Sequence, residues 1–336
     1  MSGFINHDIY IRDLNNDGKD EILAANADGN IYCLNSEGKL QWRFSKNSAP
    51  MFAVSAIKMD DKMYVVAGGF DTNMYYLNAR GEFLKKIDFR TFSKEKTRKF
   101  KGKRVPKGNE SMSNFIRTIK KPDGKETLVA LGTNNHMQNV GTLYFFNPLD
   151  NLPFKVKGIK RNKKSTKEKF KLRPIGDLKI VDYDNDGYQE VVLGASAHVQ
   201  DMVVTTFNTK TDQFTFNKMT KISFGYDISQ TEVIKQNGKN MYFTRAGSKI
   251  HLYEPGSTDK GLERIVGKFA YNDICKIPNT NKVLLASSQS GGSAIHVIDL
   301  DNPKWKKSFK NLVPKGKIST IIKNTDKIKI RKNLFR

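Results

Sequence analysis

The chain has 336 residues, of which 38% are hydrophobic and 10% aromatic, and two cysteines. That is enough apolar material for a packed core, which excludes wholesale disorder; the cysteine count excludes a disulfide-framed miniprotein, and no run approaches the roughly 18–20 apolar residues of a bilayer-spanning helix. The formal net charge of +24 points to a polyanionic partner.

Met1-Ser2-Gly3-Phe4 opens the chain without an apolar leader or a cleavage site. From there a unit of four short strands recurs: apolar strand, polar turn, apolar strand ending in small residues, polar loop, aromatic-rich strand, turn, final strand. The first unit places strands at Asp8–Asp13, Glu21–Ala25, Ile31–Leu34 and Leu40–Phe44. The second runs from Ala53–Ile57 to Phe83–Ile87, and the third from Asn114–Ile119 to Phe154–Val156. Further units start near residues 176, 227 and 272, and a seventh opens at Lys317–Ile322 with one more strand, Lys327–Arg331, after it. Helical periodicity is absent, and each unit alone would leave a sheet face unburied. The expectation is a single all-β domain over 1–336, a seven-bladed β-propeller with six full blades starting near 7, 52, 113, 176, 227 and 272 and an incomplete one near 317. Cys33 and Cys275 lie in apolar strand-like runs and are expected to be buried free thiols.

Two turns stand out. Asp13-Leu14-Asn15-Asn16-Asp17-Gly18-Lys19-Asp20-Glu21 and Asp182-Tyr183-Asp184-Asn185-Asp186-Gly187-Tyr188-Gln189-Glu190 both read D-x-[ND]-x-D-G-x-x-E. Oxygen side chains at alternate positions converge when the backbone curls, the glycine permits the curl, and a hard cation needs six to eight oxygens. Side chains of Asp13, Asn15, Asp17 and Glu21 with the Lys19 carbonyl form one expected calcium site. Asp182, Asp184, Asp186 and Glu190 with the Tyr188 carbonyl form the other. An EF-hand would need its glutamate at position twelve and flanking helices; here it stands at nine between strands. The corresponding turns of the second and third units, Met59–Lys62 and Lys121–Lys125, lack the pattern and are expected to hold no metal.

These hairpins, followed by Leu23-Ala24-Ala25-Asn26 and Leu193-Gly194-Ala195-Ser196, resemble FG-GAP or VCBS-type repeats, the family of the calcium-binding propellers of integrin α-subunits and of some bacterial polysaccharide lyases. Asp28–Phe44 is also similar to a quinoprotein-type blade, in which a tryptophan near the end of the last strand packs between blades; here that residue is Trp42. The resemblance implies the fold and structural calcium, and says little about activity.

Within a propeller, turns joining first and second strands emerge on one face, and second-to-third loops and interblade linkers on the other. Both acid loops fall on the first face and are read as braces. The opposite face collects two basic linkers, 91–112 and 155–175. Residues 94–107 carry eight basic residues and one glutamate, and residues 155–173 carry ten and one. Lys101, Lys103, Arg104, Arg161, Lys163 and Lys164 in them, with Asn114, are candidates for binding an anionic substrate. Two second-to-third loops share H-x-Q, at His136 and His198. With Tyr226, Tyr271 and Arg173 at the starts of first strands, these are the candidate catalytic groups: a cation to neutralise a carboxylate, histidine or tyrosine to remove a proton, tyrosine to protonate the leaving oxygen. His251 and His296 are expected to be structural.

The reading is an extracellular or periplasmic, monomeric propeller that binds, and by β-elimination cleaves, an acidic polysaccharide bearing uronate or sulfate. The alternative is a non-catalytic, calcium-stabilised binding or adhesion propeller for an anionic glycan or protein. Few aromatics accompany the basic stretches and no nucleic-acid motif is present, which argues against nucleic acid.

Overall fold

The computed structural model describes residues 6–92, 97–100, 102–106, 113–132, 141–159, 175–197, 202–219, 227–255, 263–268, 270–287 and 294–312. They form six antiparallel meanders, the blades of a β-propeller, in which each strand pairs with the next in sequence. Blade one comprises Asn6–Arg12, Glu21–Asn26, Ile31–Leu34 and Leu40–Phe44. Blade two comprises Met51–Met59, Lys62–Gly69, Asn73–Asn78 and Phe83–Asp88. Blade three comprises Ser113–Lys120, Glu126–Gly132, Thr142–Phe146 and Lys155–Gly158. Blade four comprises Ile175–Val181, Glu190–Ala197, Met202–Asn208 and Gln213–Met219. Blade five comprises Gln230–Gln236, Lys239–Ala246, Lys249–Tyr253 and Glu263–Val266. Blade six has three described strands, Asp273–Lys276, Lys282–Ser287 and Ala294–Asp299.

Among the described residues the count is six blades, where seven were expected. After the third strand of blade six comes a short helix, Trp305–Asn311, which the absence of long helical periodicity had not suggested. The stretch expected to open a seventh blade, 317–331, lies outside the described residues. Contacts divide the chain into two compact units, one up to Ser229 with blades one to four and one from Gln230 onward with blades five and six.

Burial explains the composition of the strands. Second and third strands are sandwiched between sheets, so Glu126–Gly132 is buried along its whole length and the middle of Asn73–Asn78 likewise. Fourth strands form the outer edge and alternate, as in the largely exposed Leu40–Phe44 and Phe83–Asp88. In the first unit, apolar clusters fill the spaces between blades one and two, two and three, and three and four. In the second unit, one cluster joins blades five and six and takes in Trp305 and Phe309 of the helix. Each fully buried large side chain here contributes roughly 1.5–3 kcal/mol.

Trp42 behaves as the quinoprotein-like pattern implies. Its Nε1 donates to the Ala79 carbonyl of blade two at 3.0 Å. Gly81 (φ +80°) lies against the indole so closely that an added Cβ would stand 2.5 Å from the ring.

One irregularity recurs. The pairing of first and second strands slips between residues 6 and 8, 51 and 53, 113 and 115, and 175 and 177. A bulge thus sets His7, Phe52, Asn114 and Gly176 outside the ladder at the same height in blades one to four. Of the two cysteines, Cys33 is buried, and burial first, then Glu21, pushes its thiol up to about 12; Cys275 is exposed, against expectation.

Candidate functional site

Both acid loops curl as their spacing demands. Gly18 and Gly187 sit at φ +80° and +87°, each two residues after an asparagine that is also left-handed, Asn16 at 59° and Asn185 at 60°. Both loops spend oxygens on their own backbone amides. In the first, Asp13 accepts from the amides of Asn15 and Gly18, and Asp17 accepts from the Lys19 amide. Asn15 donates its side-chain amide to Asp17 and accepts from the Asp17 N–H, so a neutral residue knits the loop to itself. In the second loop, Asp182 accepts from the Asp186 and Gly187 N–H groups, Asp184 from the Asp186 N–H and Asp186 from the Tyr188 N–H. There, carboxylate oxygens of Asp182, Asp184 and Glu190 lie within 4.8 Å of one another. Two oxygens bound to one calcium ion at 2.3–2.6 Å stand no more than about 5 Å apart, so this set fits a shared ion. Burial first, then the neighbouring Asp184, Asp186 and Asp182, pushes the Glu190 carboxyl up to about 8. Lys210 already offers Asp186 a positive charge at 2.9 Å.

Glu21 and Glu190 begin the second strands of their blades and accept from a backbone N–H of their own turn, Leu14 and Tyr183. The glutamate that begins the second strand of blade three, Glu126, does something else. One of its oxygens accepts from Arg12 Nη2 of blade one at 2.6 Å and the other from the Lys58 N–H of blade two at 2.7 Å. Nearby, Arg117 of blade three grips Asp8 of blade one through both guanidinium Nη atoms, at 2.7 and 2.8 Å, while Asp8 also accepts from the Val54 N–H. Burial, the largest single influence, weakens the charge on Arg117, but Asp8 with Asp177 and Tyr10 together outweigh it and raise the guanidinium pKa. First strands of successive blades in this unit lie against one another; the two ion pairs join blades one and three, and their carboxylates reach blade two through the Lys58 and Val54 amides.

Where those strands end, they frame an open cleft of about 510 Å³ lined by Tyr10, Arg12, Arg117, Lys120, Glu126 and Lys179 among others. It sits at the end of the blades where Arg12 runs into the first acid loop and Val181 into the second. Sequence reasoning missed it because its residues come from first strands far apart in the chain, and alternation alone does not say which of them converge.

The residues expected on the opposite face fare as follows. His136, His198, Tyr226, Arg173, Lys101, Arg161, Lys163 and Lys164 lie outside the described residues. Lys103 and Arg104 fall in a backbone hairpin, Thr97–Phe100 with Lys103–Pro106, that the first basic linker forms between blades two and three. Asn114 occupies the bulge of blade three. Tyr271 is 1% exposed, packed with Phe309 in the apolar cluster of the second unit, and its hydroxyl is 2.7 Å from His296 Nδ1. Its backbone carbonyl accepts from the Arg245 guanidinium. Tyr271 and His296 are thus brought together, with the Tyr271 ring in a core. His251 is wholly buried, in line with a structural role.

A family model described as the lambda-carrageenase β-propeller domain matches residues 1–298. The chain belongs to this family. It is 42% identical over 343 residues to two proteins named lambda-carrageenase, one from Pseudoalteromonas carrageenovora and one from Pseudoalteromonas sp., an alignment that covers 100% of this chain and 35% of each of theirs. The chain therefore spans about a third of the length of these relatives. Among solved structures it is similar to BBS1N in complex with ARL6DN, with a TM-score of 0.56 at 9% identity over 89% of this chain and 82% of that one. It is also similar to the Neurospora crassa Pan2 WD40 domain, with a TM-score of 0.50 at 12% identity over 83% and 71%. Identities this low speak for the propeller fold alone. The family is a propeller family, in keeping with the repeats; the acid loops that suggested FG-GAP or VCBS repeats are features of two blades within it.

Proposed function

We propose that the chain is the propeller of a carbohydrate-active protein whose substrate is a sulfated polysaccharide of the carrageenan type. The 42% identity to lambda-carrageenases along the whole chain carries the reading, and the net charge of +24 agrees with an anionic polymer. The sulfated alternative thereby replaces the uronate one. β-Elimination falls with it, because removal of the ring proton needs an adjacent carboxylate that a sulfated galactan lacks; hydrolysis of the glycosidic bond is the reaction proposed for the full-length protein. A polymer of this size meets a protein outside the cell, which supports an extracellular or periplasmic place. No helix among the described residues is long and apolar enough to cross a membrane. Calcium is proposed as a structural ion held by Asp182, Asp184 and Glu190, where it would neutralise crowded carboxylates and fix the hairpin.

The test is to assay binding of λ-carrageenan by the chain in affinity gels, and the products formed by the full-length protein. Salt-sensitive retardation, with new reducing ends and no ultraviolet absorbance from an unsaturated sugar, is expected. Absence of retardation, or an unsaturated product, overturns it. The second reading is a binding-only propeller, suggested by the burial of Tyr271, which is 1% exposed. Binding without reducing ends would select it.

A further inference from the structure

We infer that the cleft at the ends of the first strands in blades one, three and four is a subsite for a sulfate-bearing sugar unit. This rests on the proposed sulfated-polysaccharide function and places its recognition at the end of the blades that carries the acid loops. Four cations, Arg12, Arg117, Lys120 and Lys179, line the cleft against one carboxylate, Glu126. That carboxylate is committed on both oxygens, to Arg12 and to the Lys58 amide, and holds the Arg12 guanidinium at the wall. The contact with Glu126 uses one of the five donors a guanidinium carries. Arg117 is fixed from behind by Asp8.

Lys120 is exposed, and its backbone N–H is pinned to Gln189 Oε1 at 2.6 Å, which sets the strand end from which the ammonium reaches. Lys179 comes from the next blade, so the positive groups converge from three separate strands on a braced frame. Such preorganisation spares a ligand the cost of ordering its site. Tyr10 adds a half-buried ring, an apolar surface for a sugar face beside the charges. A volume of about 510 Å³ holds sugar units rather than a lone ion, within the range of roughly 300–1,000 Å³ usual for small-ligand clefts.

The test compares binding of λ-carrageenan oligosaccharides, and of the same oligosaccharides chemically desulfated, by calorimetry at several salt concentrations. The variants are Lys120→Glu/Lys179→Glu and, as a control of equal charge change on the exposed side of the helix, Lys307→Glu/Lys310→Glu; circular dichroism and melting check the fold, and Lys120→Gln serves if the double variant does not fold. The cleft variant is expected to bind the sulfated probe on the order of tenfold more weakly with a shallower salt dependence, and the control to match the wild type. Desulfated probe should bind weakly to all three. Unchanged affinity in the cleft variant, or equal loss in the control, overturns the subsite while leaving the polysaccharide function standing. Failure of the wild type to bind the sulfated probe overturns both.

Discussion

Removing Glu126 should loosen three blades at once. The side chain is 7% exposed and joins Arg12 of blade one to the Lys58 amide of blade two from its seat on blade three. Glu126→Ala leaves the amide orphaned, at about 1–3 kcal/mol. It also leaves Arg12 without its countercharge; a fully buried broken pair costs about 3–5 kcal/mol, and this one less, since the Arg12 side chain keeps 28% of its exposure. A total of about 3 kcal/mol is expected, a fall of roughly 6–12 °C in the calorimetric transition of the first unit. Glu126→Gln keeps an acceptor for the amide and should cost about 1 kcal/mol. The same Gln variant strips the only carboxylate that the described residues bring to the cleft lining, so it should bind λ-carrageenan oligosaccharides more tightly while being less stable. A drop below about 2 °C for the Ala variant, or a Gln variant as unstable as the Ala one, would refute the knot.

Three further outcomes follow from other parts of the molecule. Gly81→Ala must adopt φ +80° and press on the Trp42 ring, so about 2–3 kcal/mol of stability and a change in tryptophan fluorescence are expected; an unaltered melt and spectrum would contradict the Trp42 packing. His251 is buried with neither ring nitrogen hydrogen-bonded among the described residues, and burial first, then Arg264 and Lys249, pulls its pKa from 6.5 to about 4. Its neutral form contributes stability that is complete above pH 6.5 and is lost as pH falls toward 4, on the order of 3 kcal/mol. His251→Leu should flatten that part of the melting-versus-pH curve, and superimposable curves for the two proteins would show the reading to be wrong. A chelator should lower the first unit's transition by about 2–3 kcal/mol relative to calcium at a hundredfold excess over its Kd. Asp184→Asn should abolish that response; a chelator without effect on the wild type removes calcium from the account.

The sequence made the strands legible because sandwiched strands need apolar residues on both faces and outer strands do not. Glu126–Gly132 and Leu40–Phe44 show the two patterns side by side. The acid loops were equally plain, since a left-handed Gly18 or Gly187 and alternating oxygens are local features. The end of blade six was not, because Trp305 and Phe309 serve a short helix as readily as a strand, and only the apolar cluster they enter decides between them. Tyr271 shows a second limit: its place at the start of a first strand was foreseen, but whether its ring would face a pocket or Phe309 depends on the neighbouring chain. The cleft illustrates a third. Arg12 and Glu126 are separated by 114 positions, and nothing local in either segment announces the other.

The four bulges have a bearing on how such a protein diversifies. A residue outside the ladder makes no register commitment to its partner strand, so His7, Phe52, Asn114 and Gly176 can be exchanged without shifting the pairing on either side. The frame already tolerates an imidazole, a phenyl ring, an amide and a bare backbone at that height. Randomising these four positions together would give a compact library of altered rims on an unchanged scaffold.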